Sequence, residues 1–181
     1  MTAEQITAME EIIAWARLNE IGVDRIPNDV AELFAKKALY LAGVQCTTDT
    51  VMPEAFSQLT NLTSFWVYNS NISAIPATIG NLVNITQMGM SNSAVTVLPD
   101  SITDLLDLQL LYIYNTAISE LPVNIGNLDK LETLYMTDTE ISVLPASFEN
   151  LVSLRKITLT ERKFPGGIPE YIHAIPEVVI S

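Results

Sequence analysis

The sequence has little of what catalytic and metal sites usually require. Its 181 residues include one cysteine, Cys46, and one histidine, His173. A disulfide framework therefore cannot form within the chain. A zinc cluster or a Cys–His or Ser–His–Asp site cannot be assembled either, and no glycine-rich phosphate loop occurs. We expect a protein that is not an enzyme and that has no metal or other cofactor.

Positive charge is missing from the middle of the chain. No Lys or Arg lies between Lys37 and Lys130, and the formal net charge is -12. Nucleic acids and anionic membrane surfaces attract Lys and Arg, so neither is an expected partner. A cationic protein partner is compatible with this charge; the alternative is that the acids only keep the protein soluble. The acids in this stretch are Asp49, Glu54, Asp100, Asp104, Asp107, Glu120 and Asp129.

Targeting signals are also missing from the chain. The N-terminal stretch MTAEQITAMEEIIAWARL is acidic and lacks the basic region of a secretory signal. No run approaches the roughly 20 apolar residues of a membrane helix. We expect a cytoplasmic protein, or one secreted without a classical signal peptide.

A 23-residue pattern repeats along most of the sequence. Residues 62–84 read LTSFWVYNSNISAIPATIGNLVN, and 108–130 read LQLLYIYNTAISELPVNIGNLDK. Residues 131–153 read LETLYMTDTEISVLPASFENLVS. Apolar residues recur at repeat positions 1, 4, 6, 11, 14, 18 and 21, with proline at 15. A fixed period of this length is the signature of a solenoid.

The consensus LxxLxLxxTxIxxLPxxIGNL resembles the leucine-rich repeat family in its bacterial or intracellular form. The resemblance implies an α/β solenoid shaped as a horseshoe, with a concave parallel β-sheet and 3₁₀ or short helical turns on the convex side. It also implies a protein–protein interaction module. Position 9, usually Asn in this family, is Ser or Thr in five copies, and we expect the hydroxyls to form a weaker version of the ladder between coils.

The repeat divides the chain into segments of one structural domain. Residues 1–38 are expected to form an N-terminal helical cap and a half-repeat, with a helix over 3–18 capped by Thr2 and Gln5. Residues 178–181 begin a seventh coil. The last full copy is given 24 residues because FPGGIPEYI, from Phe164, resembles the repeats of plant receptors. The six repeats are 39–61, 62–84, 85–107, 108–130, 131–153 and 154–177.

One surface of the predicted sheet is rich in aromatic residues. Side chains alternate across a strand, so positions 3, 5 and 7 face out of the concave side. Position 5 reads Gly43, Trp66, Gly89, Tyr112, Tyr135 and Thr158. Tyr68, Ser91 and Tyr114 occupy position 7, and a polar column at position 8 lines the edge. That column is Asn69, Asn92, Asn115 and Asp138.

These columns predict a binding site on the concave face. Gly89 and Ser91 leave a notch between the Trp66/Tyr68 pair and the Tyr112/Tyr114 pair, which favours binding over simple cross-strand stacking. Stacking alone remains the alternative. A second, basic patch is expected in the last coil, either as a docking site for an acidic partner or as a solvated face. Its residues are Arg155, Lys156, Arg162 and Lys163.

Three functional hypotheses follow from this surface. The first is a module that binds a protein or peptide on the concave face. The second is the substrate-recognition domain of a larger effector or enzyme, for example of the ubiquitin-ligase type. The third is carbohydrate binding by the Asn, Tyr and Trp side chains. We expect a monomer, with pairing of two copies through an exposed strand edge as the alternative.

Overall fold

Short parallel strands stacked in chain order form the core of the fold. The computed structural model describes residues 1–48 and 50–181, so Asp49 of the acidic stretch lies outside the described residues. Seven strands form one sheet in the order β1 to β7. Their bounds are Ala38–Tyr40 (β1), Ser64–Trp66 (β2), Gln87–Gly89 (β3), Leu110–Tyr112 (β4), Thr133–Tyr135 (β5), Lys156–Leu159 (β6) and Glu177–Ile180 (β7).

The strand register confirms the 23-residue spacing through the middle of the chain. Phe65 pairs with Met88, and Met88 pairs with Leu111, each 23 residues further on. The same offset continues through Leu134 to Ile157. All five of these position-4 side chains are fully buried, as an inward-facing column of a parallel stack should be.

The predicted phase of the first repeat is wrong. Leu39 pairs with Phe65 and not with Leu62, so Leu39 occupies position 4 and Tyr40 occupies position 5. Leu39 and Leu41 are fully buried on either side of the exposed Tyr40, and this alternation sets the strand. The three extra residues of this coil lie between Gly43 and Val51, after the strand rather than before it.

The length predicted for the last full copy is also wrong. Ile157 pairs with Val178, only 21 residues further on, so the seventh coil starts earlier than Val178. The chain passes from the 3₁₀ helix Glu170–Ala174 almost directly into β7. Ile172, which is fully buried, fills the core there. The FPGGIP stretch therefore shortens this coil and does not lengthen it.

The returning halves of the first five coils are 3₁₀ helices of two alternating lengths. Five-residue helices are Glu54–Gln58, Asp100–Asp104 and Ala146–Asn150. Three-residue helices are Ile79–Asn81 and Ile125–Asn127. The predicted 3₁₀ turns are thus confirmed, and the period of the convex side is two coils rather than one. Where the helix is long, proline stands directly before it, as its fixed φ allows.

The hydroxyls at position 9 do not form the expected ladder between coils. Thr116 Oγ1 donates to the carbonyl of Ile113 at 2.7 Å, and Thr139 Oγ1 donates to that of Met136 at 2.9 Å. Both bonds stay within one coil, three residues back along the chain. Each hydroxyl has a single proton, and the carbonyl of its own turn accepts it, so none is left to donate to the neighbouring coil.

A helical cap covers the first coil, as the sequence predicts. Helix α1 spans Ala3–Leu18, and Thr2 and Gln5 form the expected capping box. Helix α2 spans Val30–Ala35. Met9 and Ile12 are fully buried, and the Trp15 ring meets Phe56 edge-on with centroids 5.3 Å apart. The cap therefore continues the apolar core of the coils.

Candidate binding surface on the concave sheet

Six aromatic side chains lie on one side of the sheet, and we call them the aromatic face. Trp66 meets Tyr112 with ring centroids 5.6 Å apart, and Tyr112 meets Tyr135 at 4.6 Å with the rings perpendicular. These contacts form a continuous ladder across β2, β4 and β5. The members of the aromatic face are Tyr40, Trp66, Tyr68, Tyr112, Tyr114 and Tyr135.

Gly89 does not interrupt this ladder. The prediction that Gly89 leaves a gap between the Trp66/Tyr68 pair and the Tyr112/Tyr114 pair is therefore corrected. A Cβ added at Gly89 would lie 2.6 Å from Trp66 ring atoms, because the indole lies across the glycine. The indole reaches Tyr112 only because this position lacks a side chain. Gly89 therefore permits stacking, and its presence alone does not separate binding from stacking.

A cavity nevertheless opens among these rings. Its volume is about 360 Å³, which falls within the usual range for small-ligand pockets. Tyr40 forms part of its wall. The repeat register read from the sequence puts Gly43, and not Tyr40, at position 5 of the first coil. Gln87 forms another part, from position 3, which alternation along the strand also predicts to face outward. The lining residues are Tyr40, Trp66, Tyr68, Gln87, Gly89, Ser91, Tyr112 and Tyr114.

Ser91 is the one hydroxyl side chain lining the cavity from β3's coil, and its environment is unusual. The residue is only 2% exposed. Its Oγ has no hydrogen-bond partner among the residues that the structure describes. Burying a hydroxyl without a partner costs about 1–3 kcal/mol. Its repeat position predicts Ser91 in the notch, and the cost of its buried hydroxyl arises from the packing of the neighbouring coils.

The phenol of Tyr112, at the centre of the aromatic face, stays neutral at ordinary pH. Burial raises the pKa of Tyr112, and the neighbouring Tyr135 adds to this shift while Lys156 opposes it. Lys156 Nζ lies 5.5 Å from the Tyr135 ring centroid, so a cation already contacts one end of the ladder.

The polar column at position 8 serves the backbone. Asn69, Asn92, Asn115 and Asp138 all have φ between 52° and 55°. Gly43 holds the same place in the first coil with φ 69°. Asn and Asp adopt this left-handed conformation more readily than other side chains. Asn115 Nδ2 also donates to Asn92 Oδ1 at 2.5 Å, so these two amides contact each other beside the cavity.

The predicted basic patch is largely neutralised by carboxylates. Lys156 pairs with Glu177 on β7, and Lys163 pairs with Glu140 of the preceding coil. Arg162 lies 3.6 Å from Asp138. Arg155 is exposed. Three of the four cations therefore link neighbouring coils, which does not favour a docking site for an acidic partner.

The described residues give no sign of a metal centre. Among residues 1–48 and 50–181, no group of three or more His, Cys, Asp or Glu side chains could hold a metal ion. Within the same residues, none of the helices is long and apolar enough to cross a membrane.

The fold and this surface define a solenoid repeat protein built on a parallel sheet. Residues 96–172 match a family model described as a leucine-rich repeat region. A search of curated proteins gives no significant match. The family-model match and the stacked parallel strands show the leucine-rich repeat fold, which commonly serves as a protein-interaction module.

Solved structures of this fold come from bacteria and plants. The chain is 25% identical to a leucine-rich repeat protein of Leptospira interrogans, with a TM-score of 0.72 over 84% of this chain and 38% of that one. It is 20% identical to the leucine-rich repeat domain of the type III effector XopL, with a TM-score of 0.69 over 98% of this chain and 65% of that one. The chain thus spans less than two-thirds of either protein.

A plant receptor shows the same fold with a ligand bound. The leucine-rich repeat ectodomain of the Arabidopsis thaliana membrane receptor kinase GASSHO1/SCHENGEN3 was solved in complex with CASPARIAN STRIP INTEGRITY FACTOR 2. It is 23% identical, with a TM-score of 0.64 over 84% of this chain and 19% of that one. This likeness concerns the fold alone.

Proposed function

We propose that this protein binds a protein or peptide partner through its aromatic face. The observation that carries the proposal is the cavity of about 360 Å³ between the aromatic rings on the outward side of the sheet. Tyr and Trp are enriched in interface hot spots because they bury large areas at a low entropic cost. The presence of a ligand on the receptor ectodomain of the same fold also supports a peptide-like partner.

Charge supports a basic partner. The formal net charge is -12, and every residue lining the cavity lies in the stretch without Lys or Arg. Opposite charge on the partner would speed association, and added salt would slow it. The same charge argues against nucleic acid as a partner.

The first prediction concerns Tyr114, which is 38% exposed at the cavity's edge. A partner recovered by affinity capture should bind the Tyr114→Ala variant about tenfold more weakly or worse, as a hot-spot truncation does. Isothermal titration calorimetry measures this change. Trp66 and Tyr112 are less suitable for this test because both belong to the stacking ladder.

The matched control is Val152→Ala, since Val152 is 82% exposed and lies outside the sheet. Its affinity and its melting temperature should equal those of the wild type. If Tyr114→Ala lowers the melting temperature but leaves affinity unchanged, the aromatic face only stacks and the proposal is wrong.

We also propose that the chain itself has no catalytic activity, because its one cysteine and one histidine lie far apart along the stack of coils and form no Cys–His pair. The related proposal, that it is the recognition part of a larger effector, is tested by sequencing the gene on both sides of the region coding for residues 1–181. An adjoining catalytic domain in the same reading frame would support it. Stop codons that directly flank the region would contradict it.

A further inference from the structure

We infer that the cavity of the aromatic face receives the primary ammonium group of a lysine from the partner. This inference rests on the proposed function, because it assigns a partner chemistry to the same site. Three observations carry it: the arrangement of the rings, the charge around them and the unpartnered hydroxyl of Ser91.

The rings form corners rather than a flat platform. Trp66 and Tyr68 meet at an interplanar angle of 82° with centroids 6.4 Å apart. Tyr112 and Tyr114 form a second pair at 53° and 6.5 Å. A compact cation placed in such a corner can contact the faces of two rings. A planar guanidinium stacks on one face only, so this shape favours an ammonium over an arginine side chain.

The charge around the cavity favours a cation as well. No Lys or Arg occurs from residue 38 to residue 129, a range that contains all eight lining residues. An entering ammonium therefore meets no positively charged side chain from these coils. An anionic ligand would find only the Gln87 amide, hydroxyl groups and negatively polarised ring faces, which do not balance its charge.

The Ser91 hydroxyl distinguishes a lysine from a fully methylated ammonium. Its Oγ is buried in the cavity lining and lacks a partner among the described residues. A primary ammonium carries three N–H donors and can donate one to this oxygen once the side chains that cover it shift, because the Oγ is closed off from solvent in this structure. A quaternary ammonium has none, so it would leave the hydroxyl unsatisfied. The lysine side chain satisfies both the rings and the hydroxyl.

The test uses small probes and the indole N–H signal of Trp66. The chain has two tryptophans, and Trp15, which is buried on the inner side of helix α1, serves as an internal reference. N-acetyl-lysine methylamide should shift the Trp66 signal saturably in NMR titrations and leave Trp15 unchanged. The Nε-acetylated form, which is neutral, and tetramethylammonium should each bind at least about threefold more weakly, as expected for loss of one cation–π or hydrogen-bond contribution.

Variants separate the roles of ring and hydroxyl. Tyr114→Leu should weaken the lysine probe about threefold or more, whereas Tyr114→Phe should retain it, because the ring face is kept. Ser91→Ala should weaken the probe without lowering the melting temperature, since it removes a buried hydroxyl that has no partner. A lower melting temperature for Ser91→Ala would show that the hydroxyl stabilises the fold, which contradicts its assigned role.

The outcomes distinguish this inference from the proposed function. Equal binding of the neutral and charged lysine probes, or a Trp66 shift with methyl glucoside but not with lysine, overturns the inference. No Trp66 shift at the solubility limit of the lysine probe overturns it too. In each case the proposed function stands if a captured partner still loses affinity with Tyr114→Ala.

Discussion

At the scale of single residues, backbone conformation explains much of what first suggested a binding edge. The first five coils each have one residue with positive φ where the strand ends. Gly, Asn and Asp tolerate that conformation best, and the column reads Gly43, Asn69, Asn92, Asn115, Asp138. The turn alone therefore accounts for this polar column. Ser91 is different, because its buried hydroxyl serves no contact within the described residues.

Another single residue, Glu54, links two coils by capping. Its carboxylate accepts from the N–H groups of Ala77 and Thr78 at 2.7 and 3.0 Å, and from Thr78 Oγ1 at 2.6 Å. Those two N–H groups stand at the start of the 3₁₀ helix Ile79–Asn81. Burial alone would raise the pKa of Glu54, but these hydrogen bonds outweigh it, and the pKa is lowered from 4.5.

We predict that Glu54→Gln destabilises the protein at neutral pH by about 0.5–1 kcal/mol, a modest value because the site is exposed. A lowered pKa in the folded state means that the ionised carboxylate stabilises the fold above its unfolded pKa. This contribution is lost as pH falls through the folded pKa. Urea unfolding at neutral pH and again below pH 4.5 should show the wild-type advantage shrinking.

Glu10→Gln, on the exposed side of α1, makes the same change in charge and serves as the control. It should leave stability nearly unchanged at both pH values. If the wild type exceeds Glu54→Gln in stability by the same amount at both pH values, the ionised carboxylate does not have the capping role.

At the scale of elements, the convex side alternates between two kinds of coil. The three-residue 3₁₀ helices contain Gly80 or Gly126, and each packs against a serine of the following coil. Gly126 N–H donates to Ser147 Oγ at 3.3 Å, and Ser147 Oγ donates to the carbonyl of Val123 at 2.6 Å. Gly80 and Ser101 repeat the first of these contacts. Neighbouring coils are therefore joined where a glycine lets the backbones approach.

We predict that Gly126→Ala destabilises the protein by about 1–3 kcal/mol, the usual cost of inserting a methyl group into a packed site. Its Cβ would lie 2.0 Å from the carbonyl oxygen of Ser147, a backbone atom that cannot rotate away. Thermal unfolding should show a melting temperature lower by roughly 2–4 °C for each kcal/mol.

Gly166→Ala is the control, because no atom lies within 4 Å of the added Cβ. Its melting temperature should match or slightly exceed that of the wild type, since alanine restricts the unfolded chain. If Gly126→Ala and Gly166→Ala lower the melting temperature equally, glycine matters for backbone flexibility and not for close packing between coils.

At the scale of the whole molecule, the repeat predicted the fold where the period is regular. The buried position-4 column from Phe65 to Ile157 could be assigned from the sequence. A shift of the strand register by one residue would turn every apolar side chain of the column to the solvent side. The two ends could not be assigned this way. In the first coil, Leu39 fits position 1 or position 4, and only its pairing with Phe65 decides between them.

The candidate site was predictable as a set of columns but not as a shape. Alternation along the strands placed Trp66, Tyr68, Tyr112 and Tyr114 on one face. It could not show that the Trp66 indole covers Gly89, because side-chain rotamers depend on neighbouring strands. The basic residues of the last coil were visible, but pairing partners such as Glu140 lie one coil away and depend on the exact register.

The last prediction concerns how stability spreads along the stack. In a solenoid each coil contacts only its neighbours, so damage at one end should remain local. Ile12, on helix α1, is fully buried where the helix packs on the first coil. Ile12→Ala should therefore lower local stability by about 2–5 kcal/mol. Amide hydrogen exchange should then speed up in β1 and β2 while β6 keeps its protection.

Ile6→Ala, on the same helix but 39% exposed, should leave exchange unchanged in all strands. Faster exchange of the same size in β1 and β6 would show that the seven strands unfold as one unit and would contradict coil-by-coil coupling.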